Sequence, residues 1–188
     1  VAARAEARPV AAPVAAGGSM EDALCAQGAI VARLGETLGP VVGYKAGLTS
    51  PKAQQAFGVS EPVFGTLLQG MLLEPGARVK PAGAHRALME ADLIVEIADP
   101  AVNEATTPEE VLATIAGVRP FLELPALVVA KDEKLDGPAI TSINVGAWKG
   151  VMGPLVPVAQ GDVGVEMMAN FTAKLTDDAT GETLPAVP

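Results

Sequence analysis

Cysteine is nearly absent: Cys25 is the only one in 188 residues. A lone thiol forms neither an intramolecular disulfide nor a thiolate cluster, which excludes a zinc finger and a paired redox motif. Histidine is as scarce, with His85 alone, so a triad or metal centre that needs two imidazoles is excluded. Aromatic residues make up 3%, too few for the stacking platforms that hold single-stranded nucleic acid. Positive charge is in deficit, 13 Lys and Arg against 22 Asp and Glu for a net charge of −9. That balance repels phosphate backbones and anionic lipid, so no nucleic acid and no membrane is expected as a partner. Runs free of charged residues stop at 12 residues, as over 62–73, short of the roughly 18 that a membrane span requires. Neither G-x-G-x-x-G nor G-x-x-x-x-G-K-[ST] occurs, which removes the support for nucleotide binding. No period repeats, which excludes a solenoid.

What remains is a water-soluble globular chain. Hydrophobic residues make up 49%, while Gly 20 and Pro 16 together stay near a fifth, below the roughly 25–30% of low-complexity chains. The length suits one domain, with a core of Val, Leu, Ile, Ala and Met. Residues 1–18 are expected to form a flexible Ala-rich head; the alternative is a new end left by signal removal, which would mean export rather than a cytoplasmic home. Ser19 caps a helix with Asp22 at its third position, and its buried stripe is predicted as Leu24, Ile30, Val31, Leu34 and Leu38. Cys25 beside that stripe reads as a small buried side chain. A strand over 41–49 runs into a turn; Ser50 then caps a short helix, with Pro51 at its first position and Gly58 as its stop. Residues 64–73 read as extended. A strand over 89–97 alternates apolar odd positions with Glu90, Asp92 and Glu96. Thr107 opens another helix, which Gly117 is expected to end, and 118–130 reads as a strand interrupted by prolines and carrying Glu123. Further short strands are predicted over 139–148, 151–158 and 171–176. Several strands with two or three short helices suggest an α+β fold with a mixed or antiparallel sheet.

Glu90 and Asp92, two apart on a strand, share a face, where like charges repel unless something compensates. A divalent cation would do so, and hard carboxylate oxygens suit Mg²⁺ or Mn²⁺. Glu123, between Leu122 and Leu124, is a costly acid of the kind that closes such a site as a third ligand. The alternative is a solvated strand face carrying acids. Lys45 stands in an apolar, glycine-bearing stretch, where burial would suit an ammonium to carrying a proton; a surface lysine at a turn is the alternative. His85 reads as a loop residue.

In series, Gly43-Tyr44-Lys45-Ala46-Gly47-Leu48-Thr49, Gln54-Gln55-Ala56-Phe57-Gly58-Val59, Pro62-Val63-Phe64-Gly65, Glu90-Ala91-Asp92 and Pro120-Phe121-Leu122-Glu123, with Asn144 and Gly153 beyond, resemble one family. It is the 2-keto-4-pentenoate hydratase and 4-oxalocrotonate decarboxylase group of the fumarylacetoacetase superfamily. The resemblance runs from about residue 19 to 176. It implies a mixed β-sandwich roll of the fumarylacetoacetase C-terminal-domain type with a short helical N-terminal part. Residues 19–188 would then form one catalytic domain that lacks the family's C-terminal third. The resemblance further implies Mg²⁺ or Mn²⁺ held by Glu90, Asp92 and Glu123, with Lys45 as the catalytic lysine and no organic cofactor. A small anionic 2-oxo acid from aromatic catabolism is the implied substrate, and a cytoplasmic homo-oligomer the implied form. By this likeness the chain is a hydratase-type lyase that works through an enolate charge drawn off by the metal. Asp92 replaces the usual Glu, and Val63 stands where hydratases usually carry an acid. Two alternatives therefore stay open, a decarboxylase of a 4-oxalocrotonate-like acid and a non-catalytic protein of the same fold that binds metal or small 2-oxo acids.

Overall fold

Ser19 accepts a hydrogen bond from the Asp22 N–H at 3.0 Å and so satisfies one of the free donors at the start of helix α1 (Met20–Leu38). The structure, a computed structural model, describes residues 6–183, with the side chain of Pro81 left out. Along the chain follow β1 (Val41–Gly47), α2 (Pro51–Phe57), β2 (Val63–Leu68), β3 (Leu72–Leu73), β4 (Glu90–Ile97), α3 (Pro108–Ala113), β5 (Ile115–Leu124), α4 (Gly137–Ser142), β6 (Lys149–Met152) and α5 (Gly161–Ala169). This mixture of helix and sheet is α+β. No helix among the described residues is long and apolar enough to cross a membrane.

Two compact units divide the chain: Val1–Met89 with Leu124–Gly150, and Glu90–Glu123 with Val151–Pro188. In the first, β1 and β2 form an antiparallel ribbon in which Lys45 faces Gly65 and Tyr44 faces Thr66. One apolar cluster gathers Val63, Val128, Val129, Ile140 and Ile143 around Ala12. A second joins Leu34 of α1 to Leu67, Leu68 and Met71. The stretch expected to be a flexible head is tied down over its described residues. Val10 pairs with Val129, and the Ala12 N–H donates to the Glu133 carboxylate at 2.6 Å. Residues 1–5 of that expected head lie outside the described residues.

In the second unit β4 and β5 pair antiparallel, Glu90 opposite Glu123 through to Ile97 opposite Ile115. Beyond β5, Val118 and Val156 exchange both backbone bonds, at 2.9 and 2.7 Å. Helix α3 opens on a capping box: Thr107 accepts from the Glu110 N–H at 3.2 Å, and the Glu110 carboxylate accepts from the Thr107 N–H at 3.2 Å.

Several sequence expectations need correction. The buried positions of α1 are Ala23, Gln27 and Leu34, while Leu24 is 52% exposed and Cys25 is exposed. The rest of the predicted stripe holds, since Ile30, Val31 and Leu38 pack beside Leu34 in the second apolar cluster. Only Leu24 is displaced, with Ala23 and Gln27 buried instead, Gln27 for a hydrogen bond that hydrophobic patterning does not register. Gly117 does not end α3. The helix stops at Ala113, and Gly117 lies within β5, where an added Cβ would stand 2.4 Å from the Val156 carbonyl oxygen. Residues 139–148 are not a strand but α4 and a following turn, because Asp136 caps the Ala139 N–H at 3.0 Å and every residue from Ala139 to Ser142 is buried. An apolar run buried on all sides carries no period that separates helix from strand. Residues 171–176 form no strand; Thr176 alone bridges to Thr183. Helix α5 was not anticipated. The extended reading of 64–73 holds for β2 and β3 but is broken by a turn at Gln69–Met71.

Candidate active site

The antiparallel register brings the acids of the second unit onto one face. Residues directly opposite project to the same side, so Glu90 and Glu123 form a cross-strand pair, and Asp92, opposite Phe121, lies two residues along the same face. Glu90 and Asp92 are exposed, whereas Glu123 is 3% exposed. A carboxylate so far from water requires compensating partners to stay charged. Further along this face, the Arg119 Nε donates to the Glu96 carboxylate at 2.7 Å, and Arg119 also donates to the Gly153 carbonyl at 3.2 Å. That pair fixes the far end of the ribbon and keeps Glu96 apart from the other three acids.

Hard oxygen donors from three carboxylates are the donor set that Mg²⁺ or Mn²⁺ takes, and the register offers them from one side. Their side chains are not gathered into a closed cage. Asp92 accepts from the Leu93 N–H at 2.7 Å, and among the described residues no group of three His, Cys, Asp or Glu side chains is poised to hold a metal. The three acids match the cation in donor type and share a strand face, but their side chains are not gathered about one point.

In the first unit, Lys45 is half-buried in β1. Its stem passes over Gly65: a Cβ built there would stand 3.0 Å from Lys45 Cγ and 3.3 Å from Cδ. The same Cβ would stand 2.8 Å from the Asn144 carbonyl oxygen. A bare glycine is therefore what lets the stem lie on the ribbon with the 144 turn beside it. Asn144, with no exposure at all, accepts from the Thr66 N–H through Oδ1 at 2.7 Å and donates from Nδ2 to the Thr66 carbonyl at 2.9 Å. Gln27 of α1 donates to the Phe64 carbonyl at 2.7 Å. Phe64 and Thr66 are two apart, so these bonds meet the backbone groups that β2 turns away from β1. Asn144 and Val145 hold left-handed φ values of 60° and 51°. For a β-branched valine that is a true outlier, the kind of backbone strain found at working sites.

Val63 is 5% exposed within the first apolar cluster, so no acid acts from that position. His85 lies in a turn segment, and its Nε2 is buried without a hydrogen-bond partner among the described residues. Sequence reasoning missed Gln27 and the clamp that Asn144 makes. Both are polar side chains spent on backbone, and their partners are set by tertiary packing rather than by any local pattern.

No protein-family model matches the chain. Over 84 residues it is 36% identical to 2-keto-4-pentenoate hydratase of Paraburkholderia xenovorans (strain LB400) and to 2-keto-4-pentenoate hydratase 3 of Pseudomonas putida, the match covering 45% of this chain and 31% of each relative. The matched part is thus under a third of the relatives' length. Among solved structures, 4-oxalocrotonate decarboxylase from Pseudomonas putida G7, complexed with magnesium and adipate, superposes with a TM-score of 0.68 at 23% identity over 81% of this chain and 58% of that one. The same enzyme complexed with calcium and acetate gives 0.65 at 22% identity, over 80% and 57%. The chain thus resembles the 2-keto-4-pentenoate hydratase and 4-oxalocrotonate decarboxylase group twice over, in an 84-residue stretch of sequence and in the fold of most of its described length.

Proposed function

We propose that this chain carries the metal-holding and proton-transfer parts of a divalent-metal-dependent lyase that hydrates a 2-hydroxy-2,4-dienoate or a related 2-oxo acid. The observation that carries the reading is the register of β4 on β5, which aligns Glu90, Asp92 and Glu123 on one face of a ribbon. These three would hold Mg²⁺ or Mn²⁺. A cation held there would supply positive charge against the anionic substrate and against the negative charge that develops on it during reaction. Lys45 Nζ moves the proton from the dienol oxygen to carbon, and water then adds at the far carbon. The stem of Lys45, laid over Gly65, limits the positions its amine takes, and such confinement counts toward rate as orientation. We carry the mixed β-sandwich roll, the cytoplasmic setting and a homo-oligomeric form as parts of the same proposal.

A second reading, decarboxylation of a 4-oxalocrotonate-like acid, is favoured by the likeness of the fold to the decarboxylase. The two share the cation and differ at the substrate's far end. The apolar packing of Val63 favours the third, a non-catalytic binder. Thermal unfolding with Mg²⁺ or Mn²⁺, alone and with oxalate or pyruvate, on wild type and Glu123→Ala tests the common core. A stabilising shift that the 2-oxo acid enlarges and Glu123→Ala abolishes is the expected result. No shift at saturating cation in folded protein overturns the metal-lyase reading. Turnover assays on dienoate and oxalocrotonate substrates then separate the three.

A further inference from the structure

A cavity of about 450 Å³ opens in the first unit, away from Lys45, within the range typical of small-molecule sites. Its apolar walls are Leu34 and Leu38 from the last turns of α1, with Val79 and Trp148. Gly70 closes one side against the helix: a Cβ there would stand 3.1 Å from the Leu38 carbonyl oxygen. Arg78, Lys80 and Lys149 also line it, and none of the lining residues is acidic, although acids outnumber bases 22 to 13 in the chain. Among the described residues none of these three cations is paired with a carboxylate. Lys149 Nζ stands 5.3 Å from the centroid of the Trp148 ring, so one ammonium is held over an aromatic face inside the site.

We propose that this cavity binds a small organic anion, a carboxylate on an apolar ring or short chain, independently of the acidic ribbon. The apolar walls would take up the body of the ligand and the three cations its charge. An uncharged analogue would lose the second contribution, and a bare inorganic anion the first.

Trp148 is the only tryptophan, so its emission reports on this cavity without interference. The probe is cyclohexanecarboxylate, compared with cyclohexanecarboxamide and with sulfate, titrated against the full chain with and without Mg²⁺. A saturable emission change with the carboxylate is expected, at least about threefold weaker with the amide, and absent with sulfate at the same concentrations. Lys80→Gln and Arg78→Gln should each weaken binding by about threefold and the double variant by about tenfold, with melting temperature unchanged. Lys149→Gln provides a second route should the double variant unfold. Equal response to the amide overturns the proposal, because the cavity is then only apolar. A response that requires Mg²⁺ also overturns it, since the site is then the acidic ribbon. So does no saturable change, or variants that lose melting temperature but not affinity; in the latter case the cations serve the carbonyl end of α1, whose last turn holds no base of its own.

Discussion

Replacing Asn144 by alanine removes two hydrogen bonds to one backbone residue, at 2.7 and 2.9 Å, from a side chain with no exposure. Each bond contributes about 1 kcal/mol net, and the Thr66 N–H and carbonyl are left part-buried without replacement, which brings the loss to about 3 kcal/mol. At this chain length 1 kcal/mol moves the melting temperature by roughly 2–4 °C, so a fall of about 6–12 °C is expected in thermal melts followed by circular dichroism. Two companions separate the causes. Asn144→Asp keeps the acceptor for the Thr66 N–H but turns a carboxylate toward the Thr66 carbonyl, so it should lose at least about 2 kcal/mol. Asn144→Gly loses both bonds yet takes the φ of 60° without strain, so it should be more stable than the alanine variant by about 1 kcal/mol. An alanine variant melting within about 2 °C of wild type, or a glycine variant below the alanine one, would refute the reasoning.

Gly65→Ala sets a methyl 2.8 Å from the Asn144 carbonyl oxygen and 3.0 Å from Lys45 Cγ; a loss of about 1–3 kcal/mol in urea unfolding is expected, with Lys45 displaced from its bed. Gly117→Ala meets the Val156 carbonyl at 2.4 Å and a φ of 153°, and should lose at least about as much in the same assay. Thr107→Ala removes the cap of α3 and should lower stability by about 1 kcal/mol. The Glu110 carboxyl is held below its ordinary 4.5 by the Thr106 N–H, then by the Thr106 hydroxyl and the Thr107 N–H. A depressed folded pKa means that its stabilisation is present above about pH 4.5 and fades as pH falls through the folded value. An NMR titration of this carboxyl should give a midpoint under 4.5, and a midpoint at or above that value would count against the capping box.

Local chemistry made much of this chain legible. Ser19, Ser50 and Thr107 announced three helix starts because a cap and its N–H donor lie within three residues of each other. The alternation in β4 announced a strand and put Glu90 and Asp92 on one side. That Glu123 joins them rests, in the sequence, on its apolar neighbours and on the family resemblance, since register is fixed by pairing across 33 residues of chain, and only the β4–β5 ladder puts it opposite Glu90. Helix α4 was misread because all-round burial erases period. Composition says nothing of the backbone pair between Val10 and Val129, which ties down the described part of the expected head. Lys45 drew notice by its setting, yet the glycine and asparagine that shape its bed, Gly65 and Asn144, belong to segments 20 and 99 residues further on.

The outer side of β2 is a strand edge with no strand beside it among the described residues; Gln27 and Asn144 answer its part-buried backbone groups with two primary amides from different parts of the chain. Unpaired strand edges are templates for a foreign strand. The two amides therefore act as stoppers against aggregation as well as supports for the fold. A variant lacking both would present Phe64 and Thr66 as an open ladder, ready to zip onto the next chain before the protein had unfolded.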